Sequence, residues 1–197
     1  MVAEQDDPEE TQSLVIQCPV LLTDRLVLRP PHLEDVVDLV ALANDPQLAS
    51  MLTTMPHPYR EADAQAFVAR WAVAESGAAY ALTDAETGAF LGCASLIARN
   101  EGAELGYWIG KPFQGFGYAT EAAHALVDLA FRASNLDRLH ASCRVINAAS
   151  RRVIQKCGFD YVGPGMTRSR VAGQVAVDRF KLDRKTWIAL RSWPRSD

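Results

Sequence analysis

A glycine-rich turn between an apolar strand and an alanine-rich helix is the part of this sequence best suited to bind a ligand. Residues 114–119 form the turn, Gln-Gly-Phe-Gly-Tyr-Ala, and Thr120 follows at the start of the helix. Glycine lets the backbone approach a ligand closely, and the first N–H groups of a helix have no partner inside it. Because such N–H groups bind phosphate, the segment predicts an anion site made of backbone.

Two common nucleotide-binding motifs do not fit this turn. A P-loop requires Gly-Lys-Ser/Thr, whereas Lys111 directly follows Gly110 and precedes Pro112. A dinucleotide fingerprint requires a third glycine where Thr120 stands, and an acidic residue near the end of the next strand, where Asn147 stands. The spacing therefore disfavours both classes.

A second candidate segment begins at Asn147, one helix and one strand after the turn. It reads Asn-Ala-Ala-Ser over residues 147–150 and ends with Lys-Cys-Gly-Phe over residues 156–159. Taken alone, Asn147 and Gly158 fit the caps of an ordinary helix, and the turn fits an unrelated glycine loop. Their occurrence together, about one strand–helix–strand unit apart, favours a shared ligand site.

Together the two segments resemble the GCN5-related N-acetyltransferase (GNAT) family. Gln114-x-x-Gly117-x-Ala119 is similar to its pyrophosphate-binding motif, and residues 147–159 are similar to its Asn-x-x-Ser/Ala segment ending in Lys-x-Gly-Phe. Residues 22–29 and 103–110 narrow the resemblance to the RimJ/RimL-like branch, which includes ribosomal-protein N-terminal acetyltransferases. The resemblance covers roughly residues 21–182.

This resemblance implies an α+β GNAT fold and acetyl-CoA as the acyl donor, with no metal. The expected sheet is central, mixed and mostly antiparallel, with six to seven strands, a splay between the fourth and fifth, and helices on its faces. Pyrophosphate would bind the N–H groups of residues 115–120, and the pantetheine arm would bind the splayed strand. The residues assigned to acetyl-CoA are Tyr107, Trp108, Ile109, Gln114, Gly115, Phe116, Gly117, Tyr118, Ala119, Thr120, Asn147 and Ser150.

Two residues are candidates for catalysis. Amine attack on a thioester requires the ammonium to lose a proton and the thiolate to leave. Glu104 shares a strand face with Trp108 and is predicted to act as the base, directly or through water, with a structural ion pair as the open alternative. Many family members carry a tyrosine where Ile154 stands here. Ser150 is the remaining hydroxyl, predicted to bond the sulfur or to complete a helix cap.

The acceptor amine is less well defined by the sequence. The leading hypothesis is a protein N-terminal α-amine. Its pKa of about 8 makes it easier to deprotonate than a lysine side chain, whose pKa is about 10.4. A small-molecule amine is the nearest alternative, and the missing tyrosine also leaves open a non-catalytic acyl-CoA-binding regulator. The acceptor cleft is expected between the loop over residues 51–59, which contains His57, the first two helices and the late hairpin.

Hydrophobic periodicity and turn residues predict alternating elements around these segments. A parallel crossover is expected into the strand at residues 138–145, because a helix precedes it. Residues 163–173, which begin Gly-Pro-Gly, are expected to connect the last two strands. The predicted strands are 26–29, 80–83, 90–97, 103–109, 138–145, 159–162 and 175–182. The predicted helices are 32–44, 60–74, 120–133, 148–157 and 183–191.

Composition limits the remaining possibilities. A length of 197 residues predicts one domain over 18–197, preceded by an acidic tail over 1–17. A net charge of -4 disfavours nucleic acid as a partner. Four separated cysteines predict neither a metal site nor a disulfide framework. Without a long apolar run or signal peptide, the expectation is a cytoplasmic protein with no membrane contact. Monomer and homodimer stay open.

Overall fold

The computed structural model describes residues 18–72 and 77–192. The predicted tail over 1–17 lies outside the described residues, as do the last two residues of the helix predicted over 60–74. Within the described ranges, the helices are α1 Val36–Ala43, α2 Pro46–Met51, α3 Glu61–Ala72, α4 Tyr118–Ala133, α5 Ala148–Lys156 and α6 Arg184–Ser192. The strands are β1 Leu21–Leu22, β2 Leu26–Arg29, β3 Gly77–Asp84, β4 Phe90–Arg99, β5 Gly102–Ile109, β6 Arg138–Arg144, β7 Asp160–Ser169 and β8 Gly173–Asp183.

All of these strands form one sheet in the order β1-β2-β3-β4-β5-β6-β8-β7. Every neighbouring pair is antiparallel except β5 and β6, which are parallel. The α+β class and the parallel crossover are confirmed. The described part of the sheet has eight strands, one more than predicted, because Leu21–Leu22 forms a short strand against β2.

Helices cover both faces of the sheet, and the alternation of side chains along β5 divides them between two cores. Leu105 and Ile109 are buried in one core with the apolar faces of α4 and α5. Trp108 packs on the other side, with α1, α2 and α3. Since successive strand residues point to opposite faces, Tyr107 and Trp108 serve different sides of the sheet.

The sheet splays where its two parallel strands meet. β5 and β6 pair only from Ala103 with Leu139 to Leu105 with Ala141. Both strands then continue, to Ile109 and Arg144, without pairing with each other. The predicted splay is confirmed, and it leaves backbone polar groups of β5 open to a ligand.

The last two strands lie where they were predicted to begin and end the hairpin, but the predicted bounds of their connection were wrong. Residues 163–169 belong to β7 rather than to a connection, and the hairpin turn lies between Ser169 and Gly173. β7 is the last strand of the described sheet, and such an edge accepts Pro164 because no neighbour needs its missing N–H. A register shift between Tyr161 and Gly163 leaves Val162 as the extra residue of a bulge.

The first helix ends near Asn44 as predicted, but another helix begins at once. Asp45 caps α2, because its side chain accepts from the N–H groups of Gln47 and Leu48 at 2.7 and 3.0 Å. Pro46 occupies the first turn, where its missing N–H costs nothing. Within residues 18–72 and 77–192, none of the helices has the length and hydropathy that a membrane span requires.

Candidate active site

One cavity of about 830 Å³ extends through the splay. Residues of β5 and β6 line its middle. At one end, here called the loop end, it is lined by the glycine turn with Arg152 and Lys156 of α5. The part of the lining on the face of the sheet that α1, α2 and α3 cover, here called the arginine end, includes Arg70, Arg99, Arg144 and Arg170.

The loop end offers backbone donors and open space. Within the described residues, the N–H groups of residues 115–119 have no hydrogen-bond acceptor. Gly115 and Gly117 adopt φ of 89° and 87°, which side-chain-bearing residues rarely adopt. No described atom lies within 4 Å of where a Cβ on Gly115 would stand. The Thr120 N–H donates to the Gly117 carbonyl at 3.0 Å, so the free donors end one residue earlier than predicted.

Side-chain contacts hold this turn in place. The Gln114 carboxamide donates to the Ile109 carbonyl at 2.9 Å, which ties the turn to the end of β5. Phe116 is 62% exposed and is absent from the cavity lining, although its carbonyl accepts from Arg25 Nη1 at 2.9 Å. The Arg25 guanidinium also lies over the Tyr118 ring, 4.7 Å from its centroid.

Glu121 in the first turn of α4 completes this support. Its Oε1 accepts from the Thr23 hydroxyl at 2.6 Å and from the Arg25 N–H at 2.8 Å, and its Oε2 pairs with the Arg25 guanidinium. Burial opposes ionisation, but these hydrogen bonds outweigh it and lower the pKa of Glu121. Sequence reasoning used residues 22–29 only as a branch marker and missed this role. The sequence feature that could have indicated this role is Arg25, which directly precedes the strand predicted over 26–29.

Tyr107 and Ser150 meet across the splay. Their hydroxyl oxygens lie 2.9 Å apart, and the Tyr107 hydroxyl donates to the Ser150 carbonyl at 3.2 Å. Asn147 caps α5 as predicted, since its Oδ1 accepts from the Ser150 N–H at 3.0 Å. Burial raises the pKa of Tyr107, and the Ser150 hydrogen bond offsets only part of that rise, so the phenol stays protonated. The side chain of Tyr107 therefore does more than fill a core position.

An ion pair connects α5 to the sheet. Asp178 on β8 is buried and pairs with Arg151 near the start of α5. Ile154, where many family members carry a tyrosine, is 1% exposed and packs in the core with α4. No hydroxyl can act from that position, which leaves Ser150 and Tyr107 as the hydroxyls that line the splay from α5 and β5.

Glu104 lies in the cavity wall with both of its oxygens engaged. Oε2 pairs with the Arg99 guanidinium, and Oε1 accepts from the Ser142 hydroxyl at 2.8 Å. The ion pair that the sequence left open is therefore present. The carboxylate remains partly exposed, at 26%, and its Oε1 still has a lone pair for a further donor.

The elements expected to form the acceptor cleft meet at the arginine end. The hairpin contacts the loop, because the Arg170 N–H donates to the Thr53 carbonyl at 2.9 Å. Phe67 and Trp71 of α3 add apolar wall, whereas His57 is exposed and does not line the cavity. The arginines and Ser142 were not predicted as site residues. The sequence feature that could have indicated them is the alternation of Ser142 and Arg144 with apolar residues in β6. This alternation puts both side chains on the face of the sheet that Glu104 shares.

Comparison with known proteins agrees with this architecture. The family model of the acetyltransferase (GNAT) domain matches residues 25–160. "Uncharacterized N-acetyltransferase p20" of Bacillus licheniformis is 27% identical over 148 residues, which cover 73% of this chain and 83% of that protein. The ribosomal-protein-serine acetyltransferase of Escherichia coli K12 is 37% identical over 60 residues, 30% of this chain and 34% of that protein.

Solved structures share the fold. The structure of RimL, described as a ribosomal L7/L12 alpha-N-protein acetyltransferase in complex with coenzyme A, superposes with a TM-score of 0.72 at 21% identity. The match covers 83% of this chain and 97% of that one. The chain belongs to the GNAT acetyltransferase family, and the resemblance found in its sequence is confirmed. It is an acetyltransferase with relatives among the ribosomal-protein acetyltransferases.

Proposed function

We propose that this protein transfers an acetyl group from acetyl-CoA to the α-amine of a protein N-terminus, with a ribosomal protein as the acceptor type. The observation that carries the proposal is the continuous cavity, which joins free backbone N–H groups at the loop end to a splayed strand and a polar arginine end. Donor and acceptor can therefore enter the splay from opposite ends. The ribosomal-protein acetyltransferases among its relatives support the acceptor type.

The loop end fits the pyrophosphate of acetyl-CoA. Five consecutive free N–H groups at the N-terminus of a long helix attract an anion without a cationic side chain. Arg152 and Lys156 stand at the same end of the cavity and add positive charge. Acetyl-CoA supplies the thioester, and residues of β5 beyond Leu105 have the open backbone groups to bind its arm.

The polar groups of the splay suit the two proton movements. As the amine nitrogen bonds to the thioester carbon, it must lose a proton, and Glu104 is our candidate to accept it directly or through water. As the carbon–sulfur bond breaks, the thiolate takes up a proton from water, and we assign the Ser150 hydroxyl, 2.9 Å from the Tyr107 hydroxyl, to hydrogen-bond the departing sulfur. Asn147 keeps Ser150 at the start of α5.

The decisive experiment is a thiol-release assay with the purified full chain, acetyl-CoA and a panel of amines. Peptides with a free N-terminus should release thiol and gain an acetyl group, whereas the same peptides with a blocked N-terminus should not. A preference for polyamines or other small amines would replace the protein acceptor by the small-molecule one. If the chain binds acetyl-CoA but no amine promotes thiol release, the non-catalytic regulator is correct and the proposal is wrong.

A further inference from the structure

Positive charge is concentrated at the arginine end of the cavity. Four arginines line it, from α3, the end of β4, the end of β6 and the β7–β8 turn, whereas only two carboxylates, Asp63 and Glu104, do so. The chain as a whole carries a net charge of -4, so this concentration does not follow from composition. A cleft lined by one sign of charge concentrates ligands of the opposite sign.

Among the described residues, most of this charge has no carboxylate partner. Arg99 pairs with Glu104, and the Asp63 carboxylate accepts from the Arg60 N–H at 2.9 Å. Within residues 18–72 and 77–192, neither Arg70, Arg144 nor Arg170 has a carboxylate within 4.0 Å. Three guanidinium groups are therefore available to an anionic ligand.

Arg144 is the arginine closest to the splay. The register of β5 and β6, continued past the last pair Leu105–Ala141, sets it across from Trp108. Its Nη1 donates to the Ser50 carbonyl of α2, and its buried Nε has no hydrogen-bond partner among the described residues. A half-buried guanidinium that is anchored on one side presents its remaining donors in a fixed orientation, which suits a carboxylate.

The distance to the reaction centre fits a short peptide segment. Ser142, whose hydroxyl bonds to Glu104, and Arg144 are two residues apart on one strand, roughly 7 Å along it. A peptide chain advances by about 3.5 Å per residue. A carboxylate bound at Arg144 would therefore belong to the second or third residue of a peptide whose amine lies near Glu104.

We propose that the acceptor carries an acidic side chain within its first three residues, and that Arg144 selects it, with Arg70 and Arg170 attracting further acidic residues at the rim. This inference rests on the proposed function and narrows its substrate class. An extended acidic peptide carries successive carboxylates along the cavity wall, whereas a free amino acid is confined to one position in it.

The test compares two peptides with free N-termini, one beginning Ser-Asp-Asp and one beginning Ser-Asn-Asn. Wild type should show at least a tenfold higher kcat/KM for the acidic peptide, as expected for one charge-assisted contact. Arg144→Gln should remove most of that preference, Arg170→Gln a smaller part, and Arg144→Lys should keep some of it. Arg168→Gln, an equal charge change on the same hairpin outside the cavity lining, should preserve it.

Binding measured by calorimetry on the CoA-loaded protein separates this inference from the proposed function. Tighter binding of the acidic peptide, lost in Arg144→Gln, supports it even where turnover is slow. Equal kcat/KM and equal affinity for both peptides would overturn it while leaving N-terminal acetylation intact. Acetylation of free aspartate but of neither peptide would also overturn it.

Discussion

The loop end and the arginine end of the cavity present different kinds of polar group to a ligand. At the loop end, five adjacent residues offer backbone N–H groups, and the surrounding side chains of Gln114, Arg25 and Glu121 only hold that backbone in place. At the arginine end, the polar groups are side chains brought together from α3 and three strands or turns far apart in sequence.

The two ends should therefore respond differently to substitution. A backbone site depends on glycine and on a helix start, and it tolerates few substitutions. A site made of side chains changes its charge with each substitution while the fold stays the same. On our proposal, the fold determines the donor and the individual arginines select the acceptor.

The largest expected effect is at the loop end. Gly117→Trp should make acetyl-CoA binding undetectable by calorimetry, because a tryptophan is strained at a φ of 87° and its Cβ would stand 3.5 Å from the Arg25 guanidinium that supports the turn, so the free N–H groups would be displaced. Gly88→Trp is a matched control, since Gly88 also has positive φ, at 73°, but lies in the β3–β4 turn outside the cavity. It should bind acetyl-CoA normally. Unchanged binding by Gly117→Trp would remove the loop end as the donor site.

Glu104 tests whether the arginine end takes part in chemistry as well as binding. Glu104→Gln should lower kcat about a hundredfold, the lower range for loss of a general base, with little change in acetyl-CoA affinity. Glu101→Gln makes the same change at an exposed residue of the neighbouring turn and should leave kcat unchanged. Unaltered turnover of Glu104→Gln across pH would restrict Glu104 to its ion pair with Arg99.

Tyr107 and Ser150 test whether the two hydroxyls act as a unit. Ser150→Ala and Tyr107→Phe should each lower kcat by about tenfold, and the double variant should be no slower than Ser150→Ala, because coupled groups are non-additive. Tyr161→Phe, at an exposed tyrosine, provides the control. If the two effects multiply in the double variant, the hydroxyls act independently and the assignment of Tyr107 as support is wrong.

The smallest effect on acetyl-CoA binding is expected from substitutions of Asp35, which lies at the start of α1. Its carboxylate takes two bonds from Arg29, at 2.6 and 2.8 Å, and one from the His32 N–H at 2.7 Å. Asp35→Ala should lower the free energy of unfolding by about 3 kcal/mol in urea titration, because it leaves a charge unpaired. Asp24→Asn, at an exposed site, should change it by less than about 0.5 kcal/mol.

The difference in the free energy of unfolding between wild type and Asp35→Ala should disappear at acidic pH. Burial opposes ionisation of Asp35, but the hydrogen bonds from Arg29 and His32 outweigh it, so its pKa is lowered. The ion pair therefore stabilises the fold above the ordinary aspartate pKa, and this contribution disappears as pH falls through the lowered value. Wild type and Asp35→Ala should converge in stability at acidic pH. A constant difference down to low pH would contradict the assignment.

The same contrast explains how far the sequence could predict the site. The glycine turn and the Asn147 cap are contiguous segments, so local spacing was enough to predict both. The Tyr107–Ser150 contact joins residues 43 apart in sequence, and the Arg144–Ser50 contact joins residues 94 apart, so neither follows from local pattern. Residues 163–169 of β7 were mistaken for a connection because Pro164 is excluded from central strands but accepted at an edge, which depends on the whole sheet.

The most direct test of the central claim is a crystal structure of the protein with coenzyme A. We expect the pyrophosphate to lie against the N–H groups of residues 115–119 and the pantetheine arm to lie between β5 and β6, with its thiol near Ser150 and the arginine end left open for the acceptor. Coenzyme A bound outside the splay, or a pyrophosphate held by side chains away from the glycine turn, would contradict the account.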